Sequence, residues 1–260
     1  MTKCIVVEKE INELSTNTIF LFSSMKSKRF FYTLLLSVVA FVVPEVKAQN
    51  VQVHYDFDRD VVTSTVEMFR PDKVGSTFFF VDMDYTPEVK GAYWEISREF
   101  CFWKQSKLDW LSLHLEFDGG LDTKAGSYNN AYLTGLTYSG HSKDWSKTWS
   151  LSAMYKLIPG TEDAQGKSQK HNFQITGVWN LDFFNHWISL NGFADFWREV
   201  RAWQDTEYIF IAEPQLWVNL KNIKGWEDAN LSIGTEVEVS SNFVNKGFYV
   251  LPTVAAKWTF

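Results

Sequence analysis

Carboxylates that alternate with aliphatic residues are the most informative chemical pattern in this sequence. In the segment 231–239, Glu236 and Glu238 stand at every second position among leucine, isoleucine and valine. A second segment alternates in the same way, and its polar residues are Ser112, His114, Glu116 and Asp118. An ionised carboxylate in hydrocarbon is strongly unfavourable, so these residues must line a polar interior if the apolar face contacts lipid. Carboxylates along a narrow aqueous path attract cations, hinder anions and accept hydrogen bonds from neutral polar solutes.

The same alternation, applied along the whole chain, predicts a lumen lined by acidic and aromatic side chains. Its predicted members are Glu67, Phe78, Phe80, Asp82, Asp84, Glu95, His114, Glu116, Asp195, Trp197, Glu213, Trp217, Glu236 and Glu238. Lys156 and Lys257 are the inward cations on this parity, while Arg70, Arg98 and Arg201 fall nearer the strand ends. For any single residue, the alternative is a polar network that only stabilises a narrow barrel.

The histidines give little support for catalysis or metal binding. A barrel-embedded lipid hydrolase would need a histidine and a serine two positions apart on one strand face. None of the five histidines has a serine two positions later, and His186 and Ser189 are expected on opposite faces. His54 and His114 lie near acidic residues, but hydrogen bonding in the lumen explains them better than metal binding. We therefore predict no enzyme, no metal and no cofactor.

A two-residue period bounded by Gly, Asn and Asp clusters predicts β-strands throughout the chain after residue 49. About twelve strands are predicted, at 51–58, 61–70, 75–85, 90–103, 109–118, 129–140, 147–157, 170–182, 186–198, 207–220, 229–240 and 247–260. An even number allows an antiparallel barrel to close with both ends in the periplasm. The expected fold class is therefore all-β, a transmembrane antiparallel β-barrel. Longer external loops are expected at 119–128, 159–169 and 199–206, opposite short turns such as 71–74 and 184–185.

The last strand and the aromatic content support the same fold. Phe260 ends an apolar face that includes Trp258, Ala256 and Val254, as is typical of the closing strand of a bacterial outer-membrane barrel. We expect this strand to be the signal for the barrel assembly machinery. Aromatic residues make up 17% of the chain, and all 12 tryptophans lie at or after Trp94, which suits aromatic girdles at the two bilayer interfaces.

The amino-terminal region predicts export. Basic residues at 26–29 precede a short apolar run at 30–43, and a cut is expected between Ala48 and Gln49. The predicted organisation is an upstream extension at 1–24, a signal peptide at 25–48 and an outer-membrane barrel at 49–260, with Met1 and Met25 as alternative starts. The segment 1–48 holds six basic and four acidic residues, which leaves 19 basic and 27 acidic residues in the rest. A net charge of −8 on the predicted mature chain excludes general nucleic-acid binding.

Two segments resemble the nucleoside-specific channels of the Tsx type and an uncharacterised group of related outer-membrane domains. One runs from Glu67 to Asp84, where an acidic strand, a short turn and an aromatic, acidic strand follow in the order of that family. The other is Trp94–Phe100, and the closing strand adds a more general match. The resemblance implies a monomeric twelve-stranded barrel with a narrow lumen that passes nucleosides. The positions that it places along the path are Glu67, Phe78, Phe80, Asp82 and Glu95.

The leading functional hypothesis is passive diffusion of small polar solutes, with nucleosides as the implied class, across the outer membrane. The alternative is a structural or adhesion barrel that conducts nothing and uses loops such as 122–127 and 161–167 to bind an external partner. A lumen filled completely by side chains would favour that alternative. The expected partners are the lipid bilayer, the assembly machinery and a small solute.

Overall fold

The barrel is seen in a computed structural model, which describes residues 49–124 and 126–260. The predicted extension and signal peptide lie outside the described residues. The strands are β1 (Gln49–Asp56), β2 (Val61–Pro71), β3 (Gly75–Tyr85), β4 (Val89–Phe100), β5 (Leu111–Asp122), β6 (Gly126–Ser127), β7 (Ala131–His141), β8 (Lys147–Leu157), β9 (His171–Phe183), β10 (Ile188–Arg201), β11 (Thr206–Ala212), β12 (Gln215–Asn219), β13 (Leu231–Ser241) and β14 (Phe248–Thr259). A 3-10 turn at Leu220–Asn222 follows β12. None of the helical structure in the described ranges is long and apolar enough to cross a membrane.

These strands form a closed antiparallel barrel, which confirms the predicted fold class. Each strand pairs with its neighbours in chain order, β11 and β12 together occupy one position between β10 and β13, and β6 pairs only with the end of β5. The barrel therefore has 12 strand positions. It closes between β1 and β14, from the pair Asn50↔Thr259 to the pair Asp56↔Thr253.

The outer surface is apolar between two ends that carry exposed aromatic residues. Aliphatic side chains with large exposed fractions point outward on most strands, among them Val53, Val66, Ile96, Leu115, Leu136, Leu151, Ile175, Leu216, Ile233 and Val254. The end that holds both chain termini, called the terminal end here, exposes Phe102, Trp145, Phe184, Trp187, Trp226 and Phe260. The opposite end, called the distal end, exposes Phe57, Trp203 and Phe248. Such an apolar band between two aromatic girdles matches the hydrocarbon core of a lipid bilayer and its two interfaces.

The predicted contrast between long distal loops and short terminal turns holds only in part. The connection 158–170 at the distal end is long, and the turns 72–74 and 184–187 at the terminal end are short. However, the connections 101–110 and 220–230 also lie at the terminal end and are longer than predicted. Both are organised by local backbone hydrogen bonds, so they fold as compact loops at the girdle.

The predicted continuous strand at 207–220 is interrupted at Glu213 and Pro214. Proline has no N–H group and cannot donate to a strand ladder, so the pairing restarts after it. The Glu213 N–H donates to the Phe193 carbonyl at 3.0 Å, and the Pro214 carbonyl accepts from the Val237 N–H at 3.1 Å. Opposite the break, Gly192 has a φ of +149°, and a Cβ atom there would lie 2.4 Å from the Glu213 carbonyl oxygen. Glycine is thus required where the two backbones approach.

Candidate functional site: the barrel lumen

Strand register places the predicted lumen residues that lie on strands on the inward face, and Glu213 stands in the break between β11 and β12. Directly opposed residues of antiparallel strands share a face. Glu67 lies opposite Phe80, Phe80 opposite Glu95, and Glu95 opposite Asp118, which forms one inward row across four strands. On the other wall, Trp217 lies opposite Ser189, and both residues face inward.

Solvent exposure divides this set into two groups. Nine members retain partly exposed side chains, namely Glu67, Phe78, Phe80, Asp82, Asp84, Glu95, Glu116, Glu213 and Glu236. Five are buried, namely His114, Asp195, Trp197, Trp217 and Glu238. Six of the nine partly exposed residues lie on the wall made by β2, β3 and β4, while all five buried ones lie on β5, β10, β12 and β13.

We call this accessible wall the β3 path and define it by Glu67, Phe78, Phe80, Asp82, Asp84, Tyr93 and Glu95. Three of its rings form a ladder, because the Phe78 and Phe80 centroids are 6.0 Å apart and those of Phe80 and Tyr93 are 5.9 Å apart. Such spacing gives a continuous apolar and aromatic surface on which a flat solute can stack. The carboxylates of the path flank this ladder on the same strands.

Neutral groups support the carboxylates of the β3 path. Thr63 donates to Asp84 at 2.6 Å, and Thr65 donates to Asp82 at 2.5 Å. The other two carboxylates of the path also accept hydrogen bonds from neutral groups. Asn50 donates to Glu67 at 3.0 Å, and Tyr93 donates to Glu95 at 2.7 Å.

Within residues 49–124 and 126–260, no basic side chain forms an ion pair with these four carboxylates at 4.0 Å or less. The carboxylates of the β3 path thus have no direct ion-pair partner in the described ranges, although Lys257 interacts electrostatically with Glu67, and Arg59 with Asp84.

The opposite wall is closed by a packed cluster around Trp217. This side chain has 0% exposure, and the Lys257 ammonium group lies 4.1 Å from its ring centroid. His54 meets the same ring edge-on at 6.1 Å. A cation on an aromatic face is stabilised when water is excluded, so this contact holds a charged group where the lumen is dry.

Arg59 is a lumen cation that the sequence analysis missed. It belongs to the distal loop between β1 and β2, yet its guanidinium group reaches Asp56 at 2.6 Å and Glu238 at 3.1 Å. Strand parity says nothing about loop residues, so only the Asp-x-x-Arg spacing after β1 could have suggested this contact. Arg59 forms ion pairs with Asp56 and Glu238 at the distal end and also interacts electrostatically with Asp84 of the β3 path.

The turn between β2 and β3 holds an ion pair at the terminal end. The Arg98 guanidinium group contacts the Asp72 carboxylate at 2.7 Å. This contact, with the backbone N–H groups of Val74 and Gly75, lowers the pKa of Asp72 from 3.8 to about 2. The predicted position of Arg98 near the rim agrees with this geometry.

Comparison with known proteins gives a family for the chain. A family model described as "Domain of unknown function (DUF5020)" matches residues 48–260. The chain belongs to the DUF5020 family. No curated protein matches this DUF5020 chain.

Solved structures resemble the DUF5020 barrel in outline only. A membrane protein from a study of in-meso crystallization has a TM-score of 0.45 and 9% identity, with coverage of 82% of this chain and 83% of that one. The outer membrane channel DcaP of Acinetobacter baumannii has a TM-score of 0.38 and 11% identity, with coverage of 77% and 63%. The transport unit of the autotransporter AIDA-I from Escherichia coli has a TM-score of 0.30 and 10% identity, with coverage of 89% and 97%. None of these similarities bears on what the lumen binds.

The DUF5020 barrel places two histidines near serines through shared carboxylates. His114 and Ser112 share Glu99, and His186 and Ser189 share Asp182. His186 contacts Asp182 at 2.8 Å, and the Ser189 hydroxyl donates to the same Asp182 at 2.6 Å. A nucleophilic serine instead donates to a histidine, and the third group then orients the histidine. Here Ser189 donates to Asp182 and not to His186.

The second histidine with acidic neighbours is held between two carboxylates. One ring nitrogen of His114 contacts Glu99 at 2.6 Å, and the other contacts Glu116 at 3.1 Å. Both nitrogens are therefore occupied. A different group in the DUF5020 barrel has the spacing of a metal site, since one oxygen from each of Glu95, Glu116 and Asp118 lies within 4.8 Å of the others.

Proposed function

We propose that this DUF5020 barrel is an outer-membrane channel through which small polar solutes diffuse passively along the β3 path. The observation that carries the proposal is the row of partly exposed carboxylates without direct ion-pair partners beside an aromatic ladder. The apolar outer surface with two aromatic girdles supports insertion in a bilayer, where the closed barrel satisfies its backbone hydrogen bonds. The expected partners are the lipid bilayer and the barrel assembly machinery, with the monomer as the functional unit.

The electrostatics of the path define the solutes that it favours. Carboxylates without basic partners favour cations and disfavour anions, because the low-dielectric walls focus their field into the path. Neutral polar solutes remain suitable, since a carboxylate accepts hydrogen bonds from hydroxyl and amino groups. The ring ladder adds a stacking surface, so a solute with one flat ring and several hydroxyl groups fits best. Nucleosides have this chemistry, and the resemblance to nucleoside-specific channels supports them as the proposed class.

Conductance measurements with nucleosides test this proposal. The refolded protein in a planar bilayer should conduct, and added nucleoside should reduce the current. Phe80→Ala should weaken this block about tenfold, because stacking of a base on an aromatic ring contributes about 1–3 kcal/mol. Phe79→Ala is the matched control, since Phe79 neighbours Phe80 on β3 and lies on the outer face.

A protein that folds and inserts but never conducts would contradict the channel. If Phe80→Ala and Phe79→Ala changed the block equally, the aromatic ladder would not be a contact surface for the solute.

The second candidate is a barrel that conducts nothing and serves a structural or adhesive role. The filled wall around Trp217 favours it, because that wall occupies part of the cross-section with side chains that exclude water. Absence of conductance and of liposome swelling would support this role over the channel.

A further inference from the structure

We infer that Glu95, Glu116 and Asp118 bind one calcium ion inside the lumen. This inference does not rest on whether solutes pass through the barrel. The three residues come from neighbouring strands, since Glu95 on β4 lies directly opposite Asp118 on β5, and Glu116 is two positions before Asp118 on the same face. One carboxylate oxygen of each lies within 4.8 Å of the others. An ion placed between them would contact all three without a change of strand position.

A buried carboxylate oxygen in the cluster is available to a cation, because no hydrogen-bond donor in the described part of the barrel contacts it. Asp118 is only 5% exposed, and its Oδ1 atom receives no hydrogen bond from a donor group among the described residues. Its side chain is in contact with the Glu116 carboxyl group, so two acidic groups approach each other here. Its other oxygen contacts the Lys156 ammonium group at 3.3 Å. A buried oxygen without a partner loses its hydration without compensation, which is costly for a carboxylate. A metal ion in the cluster would supply that compensation.

A fourth carboxylate reaches the cluster from the opposite wall. Asp195 on β10 is 8% exposed, and its Oδ1 atom also has no hydrogen-bond partner in the described part of the chain. It interacts electrostatically with both Glu95 and Glu116 across the lumen. Acidic side chains from two walls of the barrel thus interact in this part of the lumen, and Asp118 and Asp195 each have one oxygen without a hydrogen-bond donor among the described residues.

The cations around the cluster do not balance its charge. Lys156 divides its contacts between Asp118 at 3.3 Å and Gln174 at 2.6 Å, and it also lies 4.9 Å from the Trp197 ring centroid. On the other side, Glu116 contacts His114, which is shared with Glu99. One ammonium group and one shared imidazole face four carboxylates, so a divalent cation improves the balance.

The ligands select a hard cation, and the spacing suits calcium. All the available donors are carboxylate oxygens, which are the ligands of Ca²⁺ and Mg²⁺ and not of thiol- or imidazole-binding metals. Ca²⁺ binds oxygen at about 2.3–2.6 Å with irregular geometry, whereas Mg²⁺ requires near-octahedral ligands at about 2.0–2.1 Å. Oxygens up to 4.8 Å apart on three fixed strand positions can surround the larger ion. Water molecules complete its coordination.

Calorimetric titration of the refolded barrel with CaCl₂ tests this site. The unsubstituted protein should bind one Ca²⁺ per chain, and Glu95→Gln and Asp118→Asn should each weaken binding by about 10–100-fold. Glu88→Gln is the matched control, because it removes one carboxylate from the exposed loop between β3 and β4. Circular dichroism establishes that each variant has folded.

A second measurement does not depend on the variants. Tb³⁺ should replace Ca²⁺ in the unsubstituted protein, and its emission should be excited through Tyr93, whose hydroxyl donates to Glu95 at 2.7 Å. Added Ca²⁺ should abolish that emission. The inference is overturned if the protein shows no saturable Ca²⁺ binding, if Mg²⁺ binds more tightly, or if both folded variants bind like the unsubstituted chain. Calcium binding without conductance would contradict only the proposed channel, and conductance without calcium binding would contradict only this site.

Discussion

Asp82 is the residue whose charge should matter most for the ion preference of the β3 path. It is partly exposed, it accepts one hydrogen bond from Thr65 at 2.5 Å, and it has no basic side chain within 4.0 Å in the described part of the barrel. Asp82→Asn keeps the side-chain volume and the acceptor for Thr65 while it removes the charge. The substitution therefore isolates the electrostatic contribution of this position.

The expected size of the effect follows from Coulomb's law in a water-accessible path. A unit charge about 4 Å from a passing ion contributes about 1 kcal/mol at the dielectric constant of water and about 4 kcal/mol at the effective value of a protein surface. We use the lower figure because the Asp82 side chain retains contact with solvent. A loss of about 1 kcal/mol corresponds to about a fivefold decrease in cation occupancy.

The assay is the reversal potential of single channels in a planar bilayer under a KCl gradient at alkaline pH, where Asp82 carries its charge. The unsubstituted barrel should prefer K⁺ over Cl⁻, and Asp82→Asn should move the reversal potential towards zero. Glu238→Gln provides a control inside the lumen, because Glu238 is buried and paired with Arg59 at 3.1 Å. Glu238→Gln should change the reversal potential less than Asp82→Asn does. An unchanged reversal potential in folded Asp82→Asn, or a larger change in Glu238→Gln, would refute the assignment of the β3 path.

Three further predictions concern stability and the filled wall. The pKa of Asp72 is lowered from 3.8 to about 2, so its pair with Arg98 stabilises the fold above pH 3.8 and loses this effect as the pH falls through 2. Asp72→Asn should therefore cost at most about 1 kcal/mol at neutral pH in urea unfolding, and this cost should disappear once the pH is well below 2. Trp217→Ala should cost about 3–5 kcal/mol and raise single-channel conductance, because it empties the wall that Lys257 now covers. Equal conductance would show that this wall does not limit the pore. Gly192→Ala should reduce the refolded fraction on gels of unheated samples, and a normal refolded fraction would contradict the close backbone contact at the strand break.

The alternation of residue types was sufficient to predict the strands and their faces. If a strand shifted by one residue, a carboxylate such as Glu236 would move from the lumen to the lipid face. The large free-energy cost of that move makes the alternation a reliable guide to which face is inward. The number of strand positions could be counted from the sequence because turn residues stand on both sides of each alternating segment. The structure agrees with this level of prediction for every strand except the interrupted one.

Contacts across the lumen were not predictable in the same way. Whether an inward residue lines water or packs against another wall depends on side chains that are distant in sequence, as for Trp217 with Lys257 and His54. The strand break had a local signal that was overlooked, since Pro214 stands inside a predicted strand and cannot complete its ladder. The cluster of Glu95, Glu116 and Asp118 had only a partial signal, because strand parity shows which carboxylates face inward but not how closely their oxygens approach.

The seam between β1 and β14 links the chemistry of the lumen to the last step of barrel assembly. His54 contacts the Thr253 hydroxyl at 3.3 Å across 199 positions of sequence, and Glu236 lies 3.6 Å from the same imidazole. Such contacts form only after the first and last strands have met, and contacts of this sequence separation are slow to form. An unclosed sheet therefore has no organised interior on this side, and a partly assembled barrel offers neither a selective path nor a sealed wall. Closure of the seam and completion of this wall of the lumen should therefore occur in the same step of assembly.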